Sequence, residues 1–138
     1  MIVLDTNVLS ELMSPTPSKA VTRWVSRHPA SVLYSTTITQ AEILYGILLL
    51  PSGRRRKTIA ALAEAMFEQD FAGRLLAFDS RAARAYAEIA VSRRRSGRPI
   101  SHFDAQIAAI ARAASAAVAT RNVADFDGCG VEVVDPWI

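Results

Sequence analysis

Residues 1–9 read MIVLDTNVL. The apolar run in residues 1–5 predicts a short buried strand, and this strand ends at a charged side chain, Asp5. Residues 7–13 follow with the apolar spacing of a short helix. A strand that leads directly into a helix is typical of α/β proteins with parallel sheets. The stretch therefore predicts that Asp5 lies at the carboxyl end of the first strand of such a sheet.

The alternation of strand and helix continues along the chain. Further strands are predicted at residues 32–35, 75–78, 117–120 and 131–134. Further helices are predicted at residues 18–28, 39–50, 52–72, 80–95 and 101–114. The order of these elements predicts the α/β fold class, with a central, mainly parallel five-stranded sheet flanked by helices on both faces.

Length and composition are typical of a single globular domain. The chain has 138 residues, of which 51% are hydrophobic, and we expect residues 1–138 to share one core. The one cysteine, Cys129, excludes an intramolecular disulfide framework and a cysteine-based zinc cluster. No apolar stretch is long enough to cross a membrane, and no basic segment precedes the first strand. A soluble, cytoplasmic protein with no membrane partner is therefore expected.

Acidic and amide side chains follow several of the predicted strands. Asp5 ends the first strand, and Glu42 lies one turn into the helix after the second strand. Asp104 lies one turn into the last predicted helix, while Asn122 and Asp125 follow the fourth strand. Because ligands of an open parallel sheet bind outside the carboxyl ends of its strands, these side chains are candidates for one shared site.

Helix capping is the alternative explanation for these acids. The pairs Thr39–Glu42 and Ser101–Asp104 have capping-box spacing, and Asp5 could cap the first helix. Taken together, however, clustered carboxylates repel one another and persist only if a cation or a proton compensates them. All-oxygen ligands suit Mg²⁺ or Mn²⁺, which activate water and stabilise charge at a phosphoryl centre. The cluster therefore predicts metal-assisted phosphodiester hydrolysis.

Four segments, in this order along the chain, resemble PIN-domain ribonucleases and especially the VapC and FitB toxins of bacterial type II toxin–antitoxin modules. They are IVLDTNVLSE (residues 2–11), STTITQAEILYG (35–46), ISHFDAQIAAIA (100–111) and VATRNVADF (118–126). The resemblance covers essentially the whole chain. It implies a PIN-like domain that cleaves RNA endonucleolytically with Mg²⁺, for which Mn²⁺ is a substitute.

The resemblance also implies a role for individual residues. Asp5, Glu42 and Asp104 match the metal-binding acids of the family, and Asp125 matches a further catalytic acid. Asn122 stands where many family members carry Asp, which leaves open whether one or two metal ions bind and whether Asp125 or Asp127 replaces the missing charge. Side chains that would orient the carboxylates are Thr6, Asn7, Thr120 and Asn122.

Basic residues are candidates for RNA contacts. They occur in two runs and beside Asp104, and the candidates are Arg54, Arg55, Arg56, Lys57, Arg93, Arg94 and His102. Each contact with a phosphate would add salt-dependent affinity. The alternative is that the runs form solvated helix faces and that His102 is a polar residue at the start of a helix.

The resemblance implies several partners. A cognate antitoxin would bind an apolar surface formed by the helices within residues 13–25 and 39–66. RNA would be the substrate, a second copy of the chain would complete a homodimer, and operator DNA would be contacted only through the antitoxin.

The sequence also raises three alternative functions. A receiver-like domain needs a lysine after a late strand, but the lysines here are Lys19 and Lys57. A haloacid-dehalogenase-type phosphatase needs D-x-D after the first strand, where this chain has Asp5, Thr6 and Asn7. Both are disfavoured. A catalytically weak PIN-like scaffold, acting mainly through antitoxin and operator complexes, stays open.

Overall fold

The computed structural model describes all of residues 1–138. Five short strands form one sheet: β1 (Ile2–Leu4), β2 (Leu33–Thr36), β3 (Leu75–Leu76), β4 (Ala117–Ala119) and β5 (Val133–Val134). Their order is β3-β2-β1-β4-β5, and every neighbouring pair is parallel. The predicted five-stranded α/β sheet is confirmed, and it is parallel throughout.

Six helices connect and cover these strands. They are α1 (Thr6–Leu12), α2 (Lys19–Ser26), α3 (Thr37–Leu48), α4 (Arg54–Ala65), α5 (Ser80–Arg95) and α6 (His102–Ala113). Short 3₁₀ turns occupy Ala30–Val32 and Val123–Phe126, and one π-helical turn, Met66–Asp70, extends α4. None of the helices combines the length and the apolar character needed to span a membrane.

Two apolar cores lie on opposite faces of the sheet. Successive strand residues point to opposite faces, so Val3 and Val118 pack with the buried residues of α5 and α6. Their neighbours Leu4 and Ala119 pack instead with buried residues from α1, α2, α3 and α4. The prediction that helices flank both faces is therefore confirmed.

Two helix starts differ from their predicted positions. The hydroxyl of Thr36 accepts a hydrogen bond from the amide of Thr39 at 3.0 Å, so Thr36 caps α3 and the predicted start at Thr39 is wrong. Thr39 therefore does not form a capping box with Glu42. The helix α4 begins at Arg54 rather than at Ser52. By contrast, Ser18 and Ser101 cap α2 and α6 as predicted.

Candidate functional site

The site lies where the order of the strands reverses. The chain passes from β1 to β2 and β3 on one side, and then crosses to β4 and β5 on the other. The carboxyl ends of β1 and β4 are therefore adjacent, and the amide of Asp5 donates to the carbonyl of Ala119 at 2.9 Å. Such a reversal leaves a crevice in which α/β proteins bind ligands.

A cleft of about 620 Å³ opens at this crevice. Its wall contains acidic, amide and hydroxyl side chains, one arginine and one tryptophan. The lining residues are Asp5, Thr6, Asn7, Ser10, Glu11, Ser14, Glu42, Asp104, Arg121, Asn122 and Trp137. The structure thus brings together Asp5, Glu42 and Asp104, which are 37 to 99 positions apart along the sequence but share one wall.

Asp5 is the most buried of these acids, with 4% of its surface exposed. Its Oδ1 accepts a hydrogen bond from the Thr6 amide at 2.8 Å, which makes Asp5 the cap of α1. Its Oδ2 accepts one from the Thr120 hydroxyl at 2.8 Å and a longer one from the Asn7 amide group at 3.4 Å. Capping and site formation are therefore not alternatives for Asp5, because the same carboxylate has both contacts.

Glu42 is held through a chain of hydroxyl groups. The Thr6 hydroxyl donates to Oε1 of Glu42 at 2.8 Å, and it lies 3.0 Å from the hydroxyl of Thr39. Thr39 is fully buried. With Thr36 as the cap of α3, Thr39 is free to position Thr6, and Thr6 positions Glu42 in turn.

Asp104 enters the cleft from the first turn of α6. Its amide donates to the Ser101 hydroxyl at 3.2 Å, which fixes the start of the helix. The short segment before the helix thereby determines where this carboxylate lies relative to Asp5 and Glu42.

Burial raises the pKa of all three acids, and neighbouring carboxylates raise it further. Burial raises the pKa of Asp5 to about 6, against the lowering effect of its hydrogen bonds from Thr120 and Thr6, and the charges of Asp104 and Glu42 add to the rise. Burial also raises the pKa of Glu42 and of Asp104, and the charge of Asp104 adds to the rise at Glu42. The charged forms are therefore destabilised, and a cation in the cleft would relieve this.

The donor set fits an open magnesium site better than a closed one. No three acidic, histidine or cysteine side chains converge closely enough to hold an ion by themselves. Mg²⁺ typically binds to one or two carboxylates and completes its shell with water and substrate phosphate. Asp5, Glu42 and Asp104 supply only oxygen ligands, which suits a hard divalent ion of this kind.

The predicted fourth acid, Asp125, does not line the cleft. It lies exposed in the turn Val123–Phe126, where its charge nevertheless raises the pKa of Asp104. Asp127 is paired with Arg98 at 2.8 Å, and this contact lowers the pKa of Asp127. Asn122 does lie in the cleft, and its backbone amide donates to the Thr120 hydroxyl at 3.1 Å.

One of the predicted RNA contacts is wrong. Arg93 is buried, with 6% of its surface exposed, and its guanidinium donates to the carbonyl groups of Arg98, Asp125 and Asp127 at 2.7, 2.8 and 2.9 Å. These bonds engage Nε and Nη1, so Arg93 holds the turn Val123–Phe126 against α5, and its burial keeps it from meeting a phosphate.

The other basic candidates lie outside the cleft. Arg54 and Arg55 are exposed and line a neighbouring groove, whereas Arg56 donates to the Ser52 hydroxyl at 3.4 Å. Lys57 and Arg94 are exposed on α4 and α5. His102 is exposed in the first turn of α6, with its Nδ1 2.7 Å from the Tyr86 hydroxyl, in keeping with a polar residue at a helix start.

A larger groove of about 850 Å³ continues from the cleft between α1, α3 and α4. The two share Thr6, Ser10, Ser14 and Glu42 as a common wall. The apolar residues along the groove are Met13, Ile43, Ile47, Leu50, Ile59 and Leu62. This is the region, within residues 13–25 and 39–66, where an apolar docking surface was predicted.

Sequence reasoning missed five residues of the cleft: Ser10, Glu11, Ser14, Arg121 and Trp137. Glu11 had a detectable signal, because Asn7, Ser10 and Glu11 form one polar face of α1 at helical spacing, which Ser14 continues just beyond the helix. The ring of Trp137 lies 5.2 Å from the guanidinium carbon of Arg121, and both residues line the cleft.

Comparison with known proteins gives a consistent assignment. A family model described as the PIN domain matches residues 2–127. The chain is 39% identical to "VapC ribonuclease Y4jK" of Sinorhizobium fredii, over 99% of this chain and 98% of that protein. It is 37% identical to "Toxin FitB" of Neisseria gonorrhoeae, over 99% of each. The solved structure of FitAB bound to the IR36 DNA fragment superposes with a TM-score of 0.90 at 38% identity, covering 100% of this chain and 96% of that one.

Proposed function

This chain belongs to the PIN-domain family, and we propose that it is the ribonuclease toxin of a toxin–antitoxin module, which cleaves RNA with Mg²⁺ held in the acidic cleft. The observation that carries the proposal is the meeting of Asp5, Glu42 and Asp104 in one cleft, each with a raised pKa. The similarity to proteins named VapC ribonuclease and Toxin FitB supports the same activity.

Asp5, Glu42 and Asp104 are the residues that would hold the ion. When Mg²⁺ is bound, the chemistry it supplies is a lower pKa of its water and compensation of charge at the phosphate. The hydrogen bonds from Thr6 and Thr120 fix both oxygens of Asp5, so that this carboxylate is oriented before substrate arrives. Mn²⁺ could substitute, since it accepts the same oxygen ligands.

Glu42 is well placed to orient the attacking water. Thr6 occupies Oε1 of Glu42, which leaves Oε2 to accept a hydrogen bond from water. No histidine lines the cleft, so the carboxylates are the groups that can accept the proton. Asp125, although outside the cleft wall, would add negative charge beside Asp104.

The competing hypothesis is a catalytically weak scaffold, in which Asn122 has removed an essential charge. Glu11 argues against it, because it places a further carboxylate in the cleft that Asn122 lines. The number of negative charges available to an ion is therefore not set by position 122 alone. We accordingly favour the enzyme over the scaffold.

An antitoxin is the partner that would occupy the groove. The groove is apolar along α3 and α4, carries Arg54 and Arg55 in its lining, and reaches the cleft at Glu42. A segment with an apolar helical face would fill it and block access to the carboxylates. The DNA-bound FitAB structure supports a further step, in which operator DNA is contacted through the antitoxin.

A second copy of the chain would cover the outer face of α3. Four large apolar side chains form a stripe there: Leu44, Tyr45, Leu48 and Leu49, which are 43%, 67%, 66% and 67% exposed. The opposite side of the same helix packs Ile43 and Ile47 into the core. A contiguous exposed stripe of this kind is typical of a protein interface, and a homodimer would bury it.

The proposed activity is tested with the purified chain and labelled RNA. Cleavage is expected with Mg²⁺, with loss of activity in excess chelator and in Asp5→Asn and Asp104→Asn. Glu64→Gln is the matched control, because Glu64 is an exposed acid on α4 outside the cleft. Products with a 5′-phosphate and a 3′-hydroxyl would fit the hydrolytic route. Cleavage that persists in chelator or in both cleft variants would reject the metal site.

A further inference from the structure

Arg121 is the one cationic residue in the wall of the acidic cleft. The same wall contains four carboxylates, those of Asp5, Glu11, Glu42 and Asp104. The ion pairs of the structure are Arg98–Asp127 and Arg112–Glu88, so no carboxylate neutralises Arg121. An exposed, uncompensated guanidinium at this position is available for an anion that enters the cleft.

Two contacts fix the position of Arg121. Its guanidinium carbon lies 5.2 Å from the centre of the Trp137 ring, a distance at which a cation is attracted to the face of the ring. Its amide donates to Oδ1 of Asn7 at 3.3 Å, and the amide group of Asn7 in turn donates to Asp5 at 3.4 Å. One side chain therefore connects Arg121 to the carboxylate at the centre of the site.

Trp137 is itself held in place. Its amide donates to Oδ1 of Asp135 at 2.8 Å, and its ring packs against the core that contains α1 and α2. With one face of the guanidinium against this ring, the N–H donors at its edge stay open to the cleft. A planar guanidinium with free N–H groups matches the oxygens of a phosphate.

We propose that Arg121, held on Trp137, binds a backbone phosphate of the RNA strand next to the phosphate that is cleaved. This inference rests on the proposed ribonuclease function of the cleft. Its physical reason is charge: a cation at the carboxylates can compensate only the phosphate it touches, while the neighbouring phosphates meet an acidic wall. Arg121 supplies the compensating charge for one of them, which makes it a substrate-binding residue.

The kinetic test measures cleavage of a mixed-sequence, single-stranded oligoribonucleotide at saturating Mg²⁺ over a series of salt concentrations. Arg121→Ala is expected to raise KM about tenfold with little change in kcat, as for the loss of one charged hydrogen bond. The slope of log kcat/KM against log salt should become shallower by about 0.7, the value for one phosphate contact on a single strand. Arg84→Ala removes an equal, exposed charge from α5 outside the cleft and should change neither quantity.

Two further variants separate binding from folding. Arg121→Lys keeps the charge, so it should restore the salt slope and most of the affinity. Trp137→Leu removes the surface that holds the guanidinium and should also raise KM. Combined with Arg121→Ala, it should have little further effect on KM. If Arg121 only anchored Trp137, both variants would lower the thermal stability and leave the salt slope unchanged.

A binding assay distinguishes this inference from the proposed activity. The chain has two tryptophans, so Trp24→Phe leaves Trp137 as the only indole reporter. In the double variant Trp24→Phe, Asp5→Asn, binding of the oligoribonucleotide should change the fluorescence of Trp137. Adding Arg121→Ala to this variant should weaken the affinity for the oligoribonucleotide about tenfold. Binding of this kind without cleavage by the wild type would reject the nuclease and keep the phosphate contact. If Arg121→Ala cleaves RNA with unchanged KM and an unchanged salt slope, the phosphate contact is overturned and the nuclease is not. The contact is also overturned if Arg121→Ala loses binding to the antitoxin while its affinity for RNA stays intact.

Discussion

The Thr6 hydroxyl donates a 2.8 Å hydrogen bond to Glu42, while the Thr6 amide donates an equally short one to Asp5. One residue thus positions two of the acids, from two different groups of its own. The backbone contact depends on the start of α1, and the hydroxyl contact depends on buried Thr39 behind it. The distance between the two acids is accordingly set by the packing of α1 against α3.

Thr6→Val is expected to lower the rate of RNA cleavage by about tenfold, because it removes the hydrogen bond to Glu42 and leaves a buried hydroxyl at Thr39 without its partner. The backbone contact to Asp5 should survive. Steady-state kinetics across a Mg²⁺ titration would measure the effect, with the exposed Thr16→Val as the control. Equal rates for the two variants would contradict an orienting role for Thr6.

Asp5 should make the metal-free protein less stable as the pH rises. Its pKa is about 6 in the folded chain against an ordinary value of 3.8, so folding favours the protonated form. The stabilisation is complete below pH 3.8 and is lost as the pH rises through 6, with a total on the order of 3 kcal/mol. Urea unfolding of wild type and Asp5→Asn in chelator should show the variant gaining stability, relative to wild type, between pH 4 and pH 7. A difference in the free energy of unfolding between the two proteins that stays constant with pH would contradict the burial of an ionisable Asp5.

Arg93→Met should destabilise the chain by roughly 3 kcal/mol, because three backbone carbonyl groups lose a charged donor in a buried setting. Arg94→Met removes an equal charge from the exposed side of α5 and should cost no more than about 0.5 kcal/mol. Urea titrations of both variants would measure the difference. Equal stabilities would show that the buried guanidinium has no structural role.

Leu48→Glu should convert a homodimer into a monomer. It places a charge in the middle of the exposed apolar stripe on α3, where the partner copy would have to desolvate it. Sedimentation velocity would report the change in mass, and Gln69→Glu provides an equal charge at an exposed polar position. A monomeric wild type, or a dimer that tolerates Leu48→Glu, would rule out this face as the interface.

The strand ends were predictable because their signal is local. A short apolar run stopped by Asp5 places the carboxylate at the carboxyl end of β1 without any knowledge of the rest of the fold. The start of α3 was not predictable in the same way. Residues 35–39 read STTIT, and several of these hydroxyl groups could cap a helix, so only the packing of Thr39 against Thr6 selects Thr36.

The burial of Arg93 was indicated by its helical spacing, although it stands in a run of arginines. Ala82, Ala85, Ile89 and Arg93 follow helical spacing and form the buried face of α5, whereas a run of three arginines is typical of a solvated helix face. The pair Arg121 and Trp137 carried no local signal. These residues meet because β4 pairs with β5, a contact that the sequence does not reveal.

The groove and the cleft share the wall formed by Thr6, Ser10, Ser14 and Glu42. A protein segment that fills the groove to this wall and an RNA strand that reaches the carboxylates therefore exclude each other. For a tightly bound inhibitor, mutual exclusion gives a threshold response rather than a graded one. Cleavage would stay silent while the inhibitor is in molar excess, and would rise steeply once the number of toxin chains exceeds it.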